Sequence, residues 1–494
     1  MFFLKFLQRR SMSYTELAAR YSRHRVVLSD GPLGEPVGHW VHAGQSLDPF
    51  FFKNSNIPKS LVKDGSTVSF VTPPEEAKVT LISVPKEASR HNCASRPDAL
   101  AKSLSNIEAT GETSITCYLK SKSEALATVN AVYRSFPFVN LKKDGNKDFQ
   151  VSLELQVESG EKFTQTEKDH LQAIGESVRM AQGLTDLPPN ILNPESMVEY
   201  VRGLTADLPK VEIKVIDDCL ALGLVGIHTV GKASKTKPKM VILTLKSEIR
   251  GTESTAIVGK GITYDTGGLS IKQTQHMKGM KRDMAGAAAA LGAFLATAKS
   301  QKPSCATLHC ILCLAENSVG PDSYRNDDVV TLYSGKSVEI NNTDAEGRLL
   351  LAEGVAFAHK NLGADVIVDI ATLTGAASIA SGKQHASFVT TNEQLSDLLI
   401  SAGRTSGDLV HELVFCPELH RANLKSTIAD MKNSVADGTN APTSCAATFV
   451  YDHLVASGFN SDKWIHIDMA SVCESGERSS GFGVALLSKF LNSL

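Results

Sequence analysis

The chain has 494 residues, 42% of them hydrophobic and 21% charged, with a formal net charge of -2. That length exceeds one ordinary core and sets an expectation of two domains. The balanced charge leaves no global bias toward nucleic acid or an anionic surface, and no run approaches the roughly 18 apolar residues of a membrane helix.

The first residues, 1–12, combine Phe2, Phe3, Leu4, Phe6 and Leu7 with Lys5, Arg9 and Arg10, and no acid precedes Glu16. Two readings stay open: a short mitochondrial presequence, or a tail before an internal start at Met12. Strand-like runs at 67–71, 78–84 and 149–157 alternate with helix-like stretches at 123–134 and 167–182, which predicts a small α/β domain. It carries no cluster of metal ligands and no chemical motif, so packing, assembly or shaping of access is its expected part.

Proline and asparagine concentrate at Leu187, Pro188, Pro189, Asn190, Asn193 and Pro194, the density of an interdomain connection. A boundary near residue 185 divides the chain into an N-terminal domain, 1–184, and a larger one, 185–494. In the second, apolar strand candidates at 240–245, 255–258, 306–314 and 365–370 alternate with helical stretches at 284–300 and 349–359, a pattern that predicts a mostly parallel sheet flanked by helices. The nine cysteines show no disulfide framework and suit a reducing, cytoplasmic setting. Cys310 and Cys313 form a CxxC inside an apolar run with no partner pair, which favours buried strand thiols over a zinc or redox site. Asn341, Asn342 and Thr343 match a glycosylation sequon that has no meaning in the cytosol.

The chemistry concentrates between residues 260 and 348. Residues 259–268 contain four glycines, Gly259, Gly261, Gly267 and Gly268, which predicts a tight turn where backbone approaches a ligand. Neither the dinucleotide fingerprint nor the phosphate-loop pattern fits. Lys272 follows, then Asp283 just before an Ala-rich helix, where an N-cap is the plain alternative. Asp344 and Glu346, two apart on an expected strand end, would face one way, and two like charges there call for a cation. Acids gathered at neighbouring strand ends predict a paired divalent-metal site. No HExxH and no GxSxG occurs, which counts against a single-zinc protease and a serine hydrolase.

Residues 260–272 and the run Asn342, Thr343, Asp344, Ala345, Glu346, Gly347, Arg348, Leu349 resemble the two signature blocks of the leucyl aminopeptidase family, peptidase family M17. The resemblance covers roughly 185–494 and fades in the N-terminal third; residues 264–269 with Met280, Lys281, Arg282 and Asp283 look most like the animal aminopeptidase-like branch. It implies hydrolysis of the N-terminal peptide bond by a metal-bound hydroxide. The implied ligands of two divalent ions are Lys260, Asp265, Asp283, Asp344 and Glu346, with Asp265 and Glu346 serving both. Zinc is the implied ion, with manganese or magnesium as alternatives in the exchangeable site, and Lys260 must be neutral to bind it. Lys272 and Arg348 correspond to the two non-ligand catalytic residues, Arg348 gripping a bicarbonate. Thr372, Leu373 and Gly375, with Asn342 and Met280, correspond to substrate contacts, and the family form is a homohexamer acting on peptides with a free N-terminus.

The chain departs from the family in 437–449, where a usual Gly-Gly pair is replaced by Ala441, Pro442, Thr443, Ser444, Cys445, so a leucine preference is not implied. Two other classes remain: a binding or scaffolding member of the family, for which no basic stripe for nucleic acid is present, and a two-metal hydrolase of another amide, such as a dipeptide.

Overall fold

Six strands rich in β-branched residues build the N-terminal sheet: β1 (His24–Leu28), β2 (Gly38–Gly44), β3 (Thr67–Thr72), β4 (Ala77–Ser83), β5 (Gly111–Leu119) and β6 (Phe149–Val157), in the order β1-β6-β5-β2-β4-β3. All neighbours are parallel except the edge pair β3 and β4. The computed structural model describes residues 24–29, 38–44, 63–72, 77–107, 111–142, 149–247, 253–300, 304–435 and 437–494. The basic, apolar segment 1–12 lies outside the described residues.

Alternate residues of these strands, Val41 and Ala43, Ile115 and Cys117, Val151 and Leu153, join one core with helices α1 (Pro97–Leu104), α2 (Ala125–Ser135) and α3 (Gln165–Asp186). Helix α3 starts at a capping box, Thr164 Oγ1 accepting from Glu167 N (3.2 Å) and the Glu167 carboxylate accepting from Thr164 N (2.7 Å).

The second sheet has eight strands: β7 (Val211–Ile216), β8 (Lys239–Lys246), β9 (Ser254–Asp265), β10 (Thr307–Asn317), β11 (Val366–Ala371), β12 (Ala386–Thr390), β13 (Val410–Glu412) and β14 (Trp464–Asp468). Their order is β13-β12-β14-β11-β9-β10-β8-β7. The four central strands β14, β11, β9 and β10 are parallel, and antiparallel pairing is confined to the flanks. The helices around it include α4 (Ala285–Ser300), α5 (Gly347–Leu362), α6 (Pro442–Ala456) and α7 (Val484–Leu491).

Both faces of this sheet are buried, which is why its strands read as continuous apolar runs rather than alternating ones. On β10, Cys310, Leu312 and Leu314 join the core that contains α4, and Ile311, Cys313 and Ala315 join the core that contains α5. Cys310 and Cys313 therefore point to opposite faces as buried thiols, and a three-residue offset in a strand allows nothing else. Helix α4 is apolar on all sides because it lies between this sheet and α3, continuing the core of the N-terminal sheet.

Two local expectations are corrected. The strand expected at 255–258 runs on to Asp265, so Gly259 and Gly261 lie inside a strand, not in a turn. A Cβ on Gly259 would lie 2.5 Å from Ala287 Cα, and one on Gly261 2.6 Å from Leu314 Cδ2. These glycines let α4 and β10 close on β9, and the turn falls to Gly267 (φ 84°) and Gly268 (φ 61°). Asp344 and Glu346 occupy a turn entering α5, not a strand end, because Glu346 sits at the helix's N-cap position.

Candidate metal centre

Lys260 and Asp265 are five apart on β9, a spacing that puts side chains on opposite faces of a regular strand. Between them the register with β10 shifts: Ile262 pairs with Ala315, but Asp265 pairs with Asn317. The extra residue is a β-bulge, and it returns Asp265 to the side of Lys260. Asp283 reaches the same place from a 3-10 turn, Met280–Met284, and Glu346 from the start of α5. Gly347 makes room: a Cβ there would lie 2.4 Å from Lys260 Cε.

The Lys260 ammonium lies 2.8 Å from Asp283 Oδ1, 3.0 Å from Glu346 Oε1 and 2.9 Å from the Thr372 carbonyl. Lys272 joins the next pair, 2.8 Å from Asp265 Oδ2 and 2.5 Å from Asp344 Oδ1. Thr372 Oγ1 donates to Asp283 Oδ1 (2.8 Å), so this carboxylate is engaged by the cluster and does not cap α4. Carboxylate oxygens of Asp265, Asp283 and Glu346 lie within 4.8 Å of one another, all buried. Asp344 forms the more open rim, its side chain 31% exposed.

Burial lifts Asp265 well above the usual carboxylate range and Asp283 to about 6, against the pull of Lys260. Burial works against Glu346 as well, but Lys260 and Lys272 overcome it and hold this acid below its ordinary value. Desolvation disfavours the Lys260 ammonium, and the acids around it more than reverse that. Asp283 Oδ2 and Glu346 Oε2 are buried without a donor among the described residues. Such atoms are costly to leave unsatisfied, and a divalent cation between the carboxylates would meet them. The donor set, three buried carboxylates with a fourth beside them, is one that hard and borderline cations take. The residues present therefore fit a metal.

The other expected residues lie around this centre. Arg348 is buried at the start of α5, its Nε without a partner among the described residues, and burial lowers it to about 10, still a cation at neutral pH. Thr372, Leu373 and Gly375 follow the end of β11, and no described residue engages the Leu373 carbonyl or the Gly375 amide. Asn342 turns inward on its own loop, its Oδ1 accepting from Asp344 N (2.9 Å). Met280 is half-buried at the start of the 3-10 turn and makes no polar contact with the cluster.

The pattern of the cytosol aminopeptidase family's catalytic domain matches residues 179–488. The chain belongs to this family. It is a metal-dependent aminopeptidase by that membership. It is 42% identical to the human probable aminopeptidase NPEPL1 over 416 residues, 83% of this chain and 78% of that protein. Leucine aminopeptidase 1 of Caenorhabditis elegans is 40% identical over 417 residues, 83% of each chain. Among solved structures, the leucyl aminopeptidase of Trypanosoma brucei in complex with bestatin superposes with a TM-score of 0.89 at 32% identity, covering 99% of each chain. A second family pattern, the M17 aminopeptidase N-terminal domain 2, matches 62–146. The family likeness therefore does not fade in the N-terminal third. That domain is held by an apolar pattern with no chemical motif, which leaves little for a motif reading to catch.

Several supporting residues in this cytosol aminopeptidase fold carry no motif. Asn317 Nδ2 donates to Asp265 Oδ1 (2.9 Å) and to the Thr343 carbonyl (3.0 Å), and Tyr324 OH donates to that carbonyl (2.6 Å). Asp468, at the end of β14, accepts from Leu373 N and Thr374 N, each at 3.0 Å, and from Thr374 Oγ1 at 2.6 Å, which fixes the edge after β11. One signal pointed there: Asp468 is an acid in the apolar run 464–469. Ala441 adopts the left-handed conformation at φ 43°, which an L side chain rarely takes, and starts α6 under strain.

Proposed function

We propose that this centre hydrolyses the N-terminal peptide bond of peptides with two divalent cations held by Lys260, Asp265, Asp283, Asp344 and Glu346, Asp265 and Glu346 shared between them. The observation that carries this reading is the pair of buried, undonated oxygens Asp283 Oδ2 and Glu346 Oε2 inside a cluster of converging acids. Zinc is the expected ion, with manganese or magnesium in the exchangeable site. When bound, the ions supply Lewis acidity toward the scissile carbonyl and activate water at neutral pH.

The chain's own groups do the rest. Lys272, fixed by Asp265 and Asp344, presents an ammonium to the negative charge that develops on the carbonyl oxygen. Arg348 offers a buried planar fork to a small carboxylate-like anion such as bicarbonate, the proposed proton acceptor. The Leu373 carbonyl and Gly375 amide pair with the substrate backbone, Thr372 and Asn342 shape the edge beside it, and Met280 walls the side-chain pocket. A pocket rimmed by acids favours a free N-terminal amine over an internal bond.

Residues 185–494 are the catalytic unit in this reading and 1–184 the unit that shapes access, within a cytoplasmic homohexamer. Among the described residues no helix is long and apolar enough to cross a membrane. Purified protein would be assayed on Leu-amide, Met-amide and short peptides after chelation and after zinc or manganese return, with Asp344→Ala as control. Release of single N-terminal residues that returns with metal and disappears in the variant is expected. Two bound ions per chain with no turnover would shift the reading to a scaffold, and cleavage of dipeptides alone to another amide hydrolase.

A further inference from the structure

The acids Asp344 and Glu346 stand on a turn that makes no regular ladder, so something else must fix its shape. Just before it, Ser337–Glu339 pairs in parallel with Met431–Lys432, and Asn433 N continues the pairing to the Glu339 carbonyl (3.0 Å). Beyond that point the side chain of Asn433 takes over from the backbone. Its Oδ1 accepts from Asn341 N (3.0 Å) and Asn342 N (3.2 Å), and its Nδ2 donates to the carbonyls of Asn342 (2.7 Å) and Ala345 (3.2 Å). A carboxamide has two acceptor positions and two donor hydrogens, and Asn433, fully buried, spends all four on this one loop.

Asn341 answers in kind: its Oδ1 accepts from Ser434 N (2.9 Å) and its Nδ2 donates to the Ser434 carbonyl (3.1 Å). Each asparagine thus pairs with the backbone of the other's segment. The carbonyls that Asn433 holds, those of Asn342 and Ala345, stand on either side of Asp344, and Glu346 follows directly. The same bonding gives Asn341, the first residue of the sequon, an amide already occupied by protein.

We propose that Asn341 and Asn433 form a reciprocal clasp that positions Asp344 and Glu346 for cation binding, an inference that rests on the two-metal reading above. Neither asparagine touches the cluster, so both are positioning residues. The clasp also ties the turn that carries Asp344 and Glu346 to the segment leading to Ala441 and α6.

The test measures zinc dissociation constants by competition with a chelator of known affinity, alongside thermal unfolding of the metal-free protein. Asn433→Asp keeps the shape but turns an oxygen toward two carbonyls; Asn341→Ala removes half the clasp and leaves the four bonds of Asn433. Zinc affinity is expected to fall by about 10–100-fold, the usual effect of losing a group that orients ligands. The larger loss belongs to Asn433→Asp, and saturating zinc restores turnover with KM unchanged, which a destabilised fold would not do. If Asn433→Asp fails to fold, Asn341→Ala decides. Wild-type zinc affinity in the folded variants overturns the clasp alone, whereas a wild-type protein that binds no zinc overturns the two-metal reading and the clasp with it.

Discussion

The two sheets solve the same packing problem and differ in what they bury. Each has a parallel centre with helices against it, and their cores are continuous through α3 and α4. Among the described residues 24–157, the buried polar side chains are neutral, Thr80, Thr113, Thr116, Thr128, Asn130 and Ser152, and the helix α3 packed against them adds Arg179 and Asp186. The eight-stranded sheet and its connections bury Lys260, Asp265, Asp283, Glu346, Arg348, Asp369 and Asp468. Buried charge costs several kcal/mol per ion unless it is compensated, so a fold retains it where chemistry requires it. The fold class alone does not separate the two sheets; their buried charges do.

The largest expected effect breaks the second region and spares the first. Glu346→Gln removes one carboxylate of the converging cluster at nearly constant volume, and turnover is predicted to fall by about 10³-fold or more, the several kcal/mol that metal-assisted charge stabilisation supplies. A circular-dichroism melt of this variant should still show a folded protein. The matched change in the other sheet, Ile115→Val, is predicted to cost about 1 kcal/mol of stability, read by denaturant titration, with turnover per folded molecule unchanged. Loss of turnover from Ile115→Val would mean that the N-terminal sheet takes part in the chemistry.

Next comes the contact on which the catalytic sheet depends. A methyl on Gly259 would meet the Ala287 backbone at 2.5 Å, and backbone cannot move aside as a side chain can. Gly259→Ala is therefore predicted to destabilise the fold by about 1–3 kcal/mol. The smallest effect concerns Glu353, fully buried on α5, where it accepts from Tyr333 N at 2.9 Å and from Gly226 N. Burial raises its carboxyl from 4.5 to about 8, against the pull of those two amides and Lys360. Because the folded state holds this proton more tightly, its stabilising contribution is full below 4.5 and is lost as pH rises through about 8. Glu353→Gln should flatten the dependence of Tm on pH over that window, by about 1 °C for each kcal/mol removed in a chain of this length.

The contrast was partly legible in the sequence. The strands at 67–71, 78–84 and 149–157, the Ala-rich helix and the acids from Asp265 to Glu346 all announce themselves through periodicity or motif, and the structure gathers Lys260, Asp265, Asp283 and Glu346 as expected. What escaped depends on long-range geometry. The bulge that turns Asp265 to the side of Lys260 is a property of two paired strands, and nothing in β9 alone reports it. Asn433 lies about 90 residues from the turn it holds and resembles any loop asparagine until the two segments are brought together. Gly259 and Gly261 suggest a turn in the sequence because glycine carries the same letter whether it supplies positive φ or clearance for a neighbouring backbone.

The measurement that tests the central claim most directly is anomalous diffraction at the zinc edge from crystals grown with zinc. Two peaks per chain, one between Asp283 and Glu346 and one beside Asp265 and Asp344, are predicted, and both should vanish in Glu346→Gln. Ordered electron density for these side chains with no anomalous peak among them, at saturating zinc, would contradict the account.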